Sequence, residues 1–196
     1  MPVVWVVALT IFCGYGYYTS TSYFNPFLTE VIGVSPEVPA DFHYQNYLLL
    51  LLAPVGGILA DKVFKSTCKW LMTAFLILAA SVWHCNDPSI RYQSNGSKPL
   101  HTDPGAFAMM MYGVVFSTVS EAGIPRMMTG TTIGIASIIG YLPDSIYSVI
   151  FGKWMDQHGA AGYNYIFTFL MITGIIGAVL AFTIYRLGKK NREQAI

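Results

Sequence analysis

Charged side chains are scarce in this sequence. Asp, Glu, Lys and Arg together make up 11% of its 196 residues, less than half of the roughly 25% found in soluble domains. Hydrophobic residues make up 54%, and the mean hydropathy is +0.51. Because so few charges cannot cover a surface that faces water on every side, the composition predicts a chain embedded in lipid.

Several kinds of functional site are missing from the sequence as well. The three cysteines, Cys13, Cys68 and Cys85, are widely spaced and form no CxxC pair, so we expect neither a disulfide framework nor a metal site. The net charge of +1 argues against nucleic acid as a partner. No HExxH, GxSxG or P-loop pattern occurs in the sequence, so we expect no enzyme activity, no catalytic residues and no cofactor.

The sequence contains instead a series of long hydrophobic stretches. A helix needs about 20 mostly apolar residues to cross the hydrocarbon core of a bilayer. Six stretches come near this length: 3–26, 43–61, 67–85, 105–125, 130–154 and 163–187. The sequence therefore predicts an all-α membrane protein of six transmembrane helices, with one domain over 1–187 and a basic cytoplasmic tail over 188–196.

The positions of Lys and Arg predict the orientation of these helices. Eight of them lie in one set of connections and three in the other, and the side richer in Lys and Arg is usually cytoplasmic. The eight are Lys62, Lys65, Lys69, Arg126, Arg186, Lys189, Lys190 and Arg192, and the three are Arg91, Lys98 and Lys153. We therefore expect both chain ends in the cytoplasm and the segment around Asn95 outside.

The end of the second stretch carries a motif. It reads APVGGILADKVFKSTCK, in which Gly57, Asp61 and Lys62 resemble the cytoplasmic G-x-L-A-D-[RK]-x-G-[RK] loop of the major facilitator superfamily. A second segment, EAGIPRMMTGTTIGIASIIGYLPDSIYSVIFGKWMD over 121–156, resembles the tenth-to-eleventh-helix region of bacterial YihN-like members of that superfamily. On these motifs the resemblance extends over nearly the whole chain.

This resemblance implies an architecture. The six stretches would correspond to helices seven to twelve of a twelve-helix transporter, so that the chain is a C-terminal half whose N-terminal half is absent. Two inverted three-helix repeats are implied as well. Gly57 and Asp61 end the second stretch, whereas Gly152 and Asp156 end the fifth at the opposite membrane face, as expected of a repeated conformational motif. The alternative is coincidence, since Gly and Asp are common at helix ends.

The fifth stretch holds a carboxylate at membrane depth, where insertion costs at least about 2.5 kcal/mol. Six small or polar residues recur there at spacings of four, three, four, three and four, and so lie on one face of a helix. This polar stripe consists of Gly130, Gly134, Ser137, Tyr141, Asp144 and Ser148. We expect it to line a path for solute or protons. The alternative is a helix–helix seam in which Gly130 and Gly134 form a GxxxG motif.

Asp144 has no basic residue close to it in the sequence. The nearest, Lys153, is nine residues away, or about 13 Å along a helix. A base in the missing half, a cationic substrate or a proton would each balance its charge. We expect Asp144 to carry or gate a coupling proton, and Pro143 to let the helix bend near Gly140.

Two further groups of residues are candidates. Tyr17 and Thr21, in the outer half of the first stretch, are predicted to line a solute cavity, although an aromatic belt at the membrane interface explains such residues equally. Glu121 and Arg126 bracket Gly-Ile-Pro at the cytoplasmic end of the fourth stretch. We expect them to form a local salt bridge or cap that holds this turn, with a gating pair as the alternative.

The resemblance implies a function: secondary active transport of a small solute by alternating access. Sugar, sugar acid or organic anion are the solutes it allows. Because no ATP-binding motif is present, such transport has to use an ion gradient, as in symport. The implied partners are the solute, a coupling proton, the lipid bilayer, and either the missing N-terminal half or a second copy of the chain. The implied location is the bacterial inner membrane. The alternative is a membrane subunit without transport activity or an inactive remnant.

Overall fold

The computed structural model describes residues 2–31, 50–86 and 104–193, and its regular elements there are all helical. Short 3₁₀ turns and one π-helical turn, Leu59–Val63, join or extend them. In chain order the α-helices are α1 (Pro2–Ser20), α2 (Phe24–Glu30), α3 (Ala53–Ile58), α4 (Thr67–Cys85), α5 (Pro104–Tyr112), α6 (Thr118–Glu121), α7 (Thr129–Gly140), α8 (Leu142–His158) and α9 (Gly162–Glu193).

Three segments of the described residues are long and apolar enough to cross a membrane, by length and composition. They are Pro2–Tyr23, Thr67–Cys85 and Arg126–Lys190. The all-helical membrane class is therefore as predicted, whereas six spans are not shown. Residues 43–49 of the second predicted span lie outside the described residues. The fourth, 105–125, is divided into α5 and α6 near Gly113, because glycine weakens a helix interior.

The helices pack around the long helix α9. It runs along α4, while α1 lies against both α7 and α9. Most of the largest fully buried side chains come from α1, α4 and α9, and they include Phe75 of α4, Ile11 of α1 and Leu170 of α9. In lipid such packing is stabilised by van der Waals contact and not by a hydrophobic driving force. The bundle therefore depends on close fit between its helix faces.

The predicted fifth span is two helices, α7 and α8, which meet at Tyr141. The Tyr141 amide still donates to the Ser137 carbonyl at 3.0 Å, and the Asp144 amide donates to the Tyr141 carbonyl at 3.3 Å, three residues back. Pro143 lies in the first turn of α8, where its missing N–H costs no helical bond. The break therefore lies one residue after the predicted bend near Gly140.

The face of α7 that packs inside the chain is a different row from the polar stripe. Thr132, Ala136 and Gly140 are buried, and a Cβ on Gly140 would lie 2.5 Å from Cγ2 of Ile11 on α1. Around Gly130 and Gly134 there is open space within 4 Å. The alternative for the polar stripe was a helix–helix seam at Gly130 and Gly134. Within the described residues, the packed face of α7 is formed by Thr132, Ala136 and Gly140 instead, and the two glycines are exposed.

Candidate functional site

Four tyrosines gather beside the break between α7 and α8. Tyr15 and Tyr18 come from α1, one helical turn apart, Tyr112 ends α5, and Tyr141 lies at the break itself. Tyr15 meets Tyr141 edge to face with 4.6 Å between ring centroids, and Tyr18 stacks on Tyr112 at 4.7 Å. Tyr15 also lies 5.6 Å from Tyr18 and 5.8 Å from Tyr112. These four residues form one continuous group, here called the tyrosine cluster.

Asp144 lies at the edge of this cluster. The Tyr15 hydroxyl donates a hydrogen bond of 3.2 Å to Oδ2 of Asp144, whose side chain is exposed. Asp144 is the third residue of α8, where the helix dipole favours a negative charge. One turn further, the Ser148 hydroxyl donates to the Asp144 backbone carbonyl at 2.9 Å. The position thus suits a carboxylate, yet leaves most of its hydrogen-bonding capacity unused.

No basic side chain forms an ion pair with Asp144 among residues 2–31, 50–86 and 104–190. Lys153 lies on the same helix but is exposed two and a half turns further on. The groups that face Asp144 are phenols: Tyr15 from α1, Tyr141 beside it, and Tyr18 and Tyr112 behind Tyr15. The site is therefore aromatic and anionic.

The predicted stripe residues are not buried in the structure. Tyr141, Asp144 and Ser148 are exposed, and Ser137 is half-buried. No described residue covers the three exposed side chains fully. Their roles stay predictions, but the face that carries them is open.

Tyr17 and Thr21 lie elsewhere. Tyr17 is 2% exposed, and its hydroxyl donates to the Leu170 carbonyl of α9 at 2.6 Å. Thr21 lies in a 3₁₀ turn after α1 and donates to the Tyr18 carbonyl at 2.7 Å. Tyr17 is thus a core residue that ties α1 to α9, and its hydroxyl is occupied. This corrects the prediction that Tyr17 lines a cavity, because the face it occupies is the packed face of α1.

Tyr15 and Tyr18 are the residues that the sequence prediction passed over. They share a face at a spacing of three, which is a helical signal. The prediction favoured the face of Gly14 and Thr10 because small residues suggested a cavity. In the structure both of those residues are buried by neighbouring helices. Small residues on α1 mark close packing, and the half-buried tyrosines mark the open side.

The residues of the predicted conformational motif are spread along the chain surface. Asp61 and Lys62 are exposed in the π-helical turn Leu59–Val63, and Gly57 is half-buried in α3. Gly152 and Asp156 lie in α8, where Asp156 is exposed and the space around Gly152 is open. The turn after Val63 contains Lys65 at φ 51°, a left-handed conformation that is uncommon for a residue with a side chain.

Glu121 holds the start of α4 and not the turn for which a salt bridge or cap was predicted. Its Oε1 accepts a short hydrogen bond from the Ser66 hydroxyl, and its Oε2 accepts from the Cys68 amide at 2.7 Å. Ser66 is the N-cap residue of α4, and its own Oγ accepts from the Lys69 amide at 3.2 Å. Glu121 therefore caps the start of α4 and not the turn that comes after Glu121 in the sequence. Arg126 is exposed in that turn.

Comparison with known proteins gives two relatives and no family. The chain is 26% identical over 200 residues to inner membrane protein YihN of Escherichia coli (strain K12), covering 97% of this chain and 46% of YihN. It is 28% identical over 198 residues to inner membrane protein YqcE of the same organism, covering 91% of this chain and 43% of YqcE. No protein-family profile and no solved structure matches it.

These findings correct the predicted family. The relatives are inner membrane proteins whose names do not identify them as members of the major facilitator superfamily, and a six-helix half of such a transporter is not shown. The chain spans somewhat less than half the length of each relative. The similarity thus supports an all-helical membrane chain and leaves its family open.

Proposed function

We propose that this chain is an inner-membrane protein that forms one wall of a path for a small solute. In this proposal the solute crosses the membrane by alternating access, and its movement is linked to a proton through Asp144. The observation that carries the proposal is the open face of α7 and α8, where Asp144 and its hydrogen-bonded Tyr15 stand without a basic partner among the described residues. Intramembrane carboxylates are costly and usually functional.

The same face explains why a second helical unit is part of the proposal. A polar stripe exposed to lipid is unfavourable, so Tyr141, Asp144 and Ser148 need either water or protein over them. Both relatives are more than twice as long as the segment that matches this chain. The facing wall is accordingly a further helical unit of similar size or a second copy of the chain, and the solute lies between the two.

The proton role follows from the surroundings of Asp144. Tyr15, Tyr18, Tyr112 and Tyr141 are the titratable groups that face it from α1, α5 and the α7–α8 break. Phenols ionise far above neutral pH, so in this proposal the proton is carried by the carboxyl group of Asp144. A single site that alternates between charged and neutral forms, next to a helix break, is able to couple proton binding to a change in helix angle.

Labelling of single cysteines tests the path. In a background with Cys13, Cys68 and Cys85 replaced by Ala, Ser148→Cys and Tyr141→Cys should react with a membrane-impermeant maleimide in cells. Val149→Cys is the matched control, since Val149 is 71% exposed but points about 100° away from Ser148 on the same helix. Equal reactivity at Ser148 and Val149, or none at the stripe, would show that no water-filled path follows it.

A second test concerns orientation. Reporters fused after Ile196 and within Lys62–Lys69 should report the cytoplasm, and one at Asn95 should report the outside. The uneven distribution of Lys and Arg motivates this expectation. An outside signal from Lys62–Lys69 would reverse the proposed orientation and would place Glu121 and Ser66 on the outer side.

A further inference from the structure

The chemistry around Asp144 selects among solutes, and this selection rests on the function proposed above. We propose that the solute is a small organic cation, such as a primary or quaternary ammonium ion. It binds against the tyrosine cluster and replaces the proton on Asp144. Charge, ring geometry and hydrogen-bonding capacity each support this class over the sugar, sugar acid and organic anion that the sequence allowed.

The first argument is charge, which excludes anionic solutes. Asp144 contributes a negative charge when no proton is bound to it, and no Lys, Arg or His of the described segments forms an ion pair with it. A sugar acid or other carboxylate at this place would meet a like charge at membrane depth, where solvent screening is weak. A cation of similar size neutralises the carboxylate instead. A neutral sugar does neither and would leave the charge unbalanced.

The rings supply the second argument. An ammonium group is attracted to an aromatic face when it lies within about 6 Å of the ring centroid. Neighbouring centroids in the tyrosine cluster are 4.6 to 5.8 Å apart, so one cation at its edge reaches more than one ring. Tyr15, Tyr18 and Tyr112 are half-buried and Tyr141 is exposed, so part of the surface of these side chains is left uncovered by the described residues.

The hydroxyl groups fit the same class. The Tyr15 O–H donates to Asp144, so its oxygen keeps lone pairs that accept from an N–H donor. The described polar groups nearest Asp144 are thus acceptors placed around a carboxylate. A primary ammonium ion presents N–H donors only, which matches this set, whereas a quaternary ion such as choline binds through its charge and its contact with the rings. A proton and an ammonium ion then compete for one negative charge, and binding of either excludes the other.

Calorimetric titration of the purified full chain tests the proposal with three probes. Choline is the cation, 3,3-dimethyl-1-butanol is its neutral analogue of the same shape, and gluconate is an anion. We expect choline to bind at least about tenfold more tightly than the neutral analogue, which is the scale of a favourable cation–aromatic contact plus a carboxylate. Gluconate should not bind. Choline affinity should fall as the pH is lowered, because protons occupy Asp144.

Variants separate the site from general folding. Asp144→Asn should lose choline binding, and Asp144→Glu, which keeps the charge, should retain it in weakened form. Tyr18→Leu should weaken binding severalfold, whereas the matched control Tyr165→Leu should not, since Tyr165 lies on α9 against Trp154 and His158. Unchanged choline binding in Asp144→Asn, or equal binding of the neutral analogue, would overturn the proposed solute class.

The two proposals fail in different ways. If the maleimide labels Ser148→Cys but choline does not bind, the path stands and the cation is wrong. If the stripe is not labelled from water, the path is wrong whatever binds at Asp144. Choline binding without labelling would make the tyrosine cluster a ligand site on a membrane subunit that does not transport.

Discussion

Two carboxylates in this chain have opposite surroundings. Glu121 is half-buried, and both of its oxygens accept hydrogen bonds from the start of α4. Asp144 is exposed and accepts one side-chain hydrogen bond, from Tyr15. A carboxylate whose acceptors are filled by a helix terminus stabilises the fold. A carboxylate left open on a polar face at membrane depth gains little for stability, so its presence there has to be explained by function.

The largest expected effect separates the two by activity. Asp144→Asn keeps the shape of the side chain and removes its charge. It should abolish proton-driven accumulation of solute in vesicles made from cells that express the chain with its facing unit, and downhill exchange of a cationic solute should fall with it, because the solute is proposed to bind Asp144. Glu121→Gln, compared per folded molecule, should keep both activities. Accumulation by Asp144→Asn with an unchanged pH profile would refute the role of Asp144 in coupling, and downhill exchange that persists would show that the solute does not bind Asp144.

The second expected effect distinguishes Glu121 from Asp144 by what each contributes to stability. Glu121→Ala removes two hydrogen bonds to a charged acceptor and should lower the free energy of unfolding by about 2–3 kcal/mol. Asp144→Ala, on an exposed position, should change it by no more than about 0.5 kcal/mol. Unfolding in detergent, followed by the circular dichroism of the helices, measures both. Similar losses in the two variants would show that Asp144 is a structural residue.

A smaller effect tests how Glu121 acts. Ser66 both donates to Glu121 and accepts from the Lys69 amide, so Ser66→Ala should cost about 1 kcal/mol, the usual value for an N-cap residue. The double variant with Glu121→Ala should cost less than the sum of the two single losses, because they share one hydrogen-bond network. Strict additivity would mean that the two residues stabilise α4 independently.

The smallest effect concerns the Asp144 side of the comparison. Tyr15→Phe keeps the ring in the tyrosine cluster and removes the hydrogen bond to Asp144, so the unfolding free energy should change by less than about 0.5 kcal/mol. The pH at which accumulation is half-maximal should rise, because a donor to the carboxylate favours its charged form. An unmoved pH profile would show that Tyr15 does not tune the proton site.

The sequence predicts the helical class well, because helices follow from short-range periodicity. Asp144 and Ser148 lie one turn apart in α8 for the same reason, whatever surrounds them. The break at Tyr141 was also predictable from the sequence, since Pro143 restricts the backbone conformation of the residues before it. Such features depend on neighbours within one or two turns.

The parts that the sequence did not predict depend on which helix lies opposite. The prediction chose the face of α1 that carries Tyr17, and only the packing of α1 against α9 shows that this face is buried. The partner of Glu121 is 55 residues away at Ser66, whereas the prediction considered Arg126 five residues away. Six spans are not shown: among the described residues, the predicted fourth span is divided near Gly113, although its composition alone is apolar enough to cross the bilayer.

The break at Tyr141 also determines how far each part of α8 moves when the helix tilts. Helix α8 has 17 residues, so it is about 25 Å long, and Asp144 lies within about 5 Å of its near end. A tilt of about 10° around Tyr141 would move the His158 end by about 4 Å but Asp144 by less than about 1 Å, as the rise per residue gives. A ligand or proton bound at Asp144 would thus act close to the pivot at Tyr141, and the largest movement would occur at the His158 end of α8.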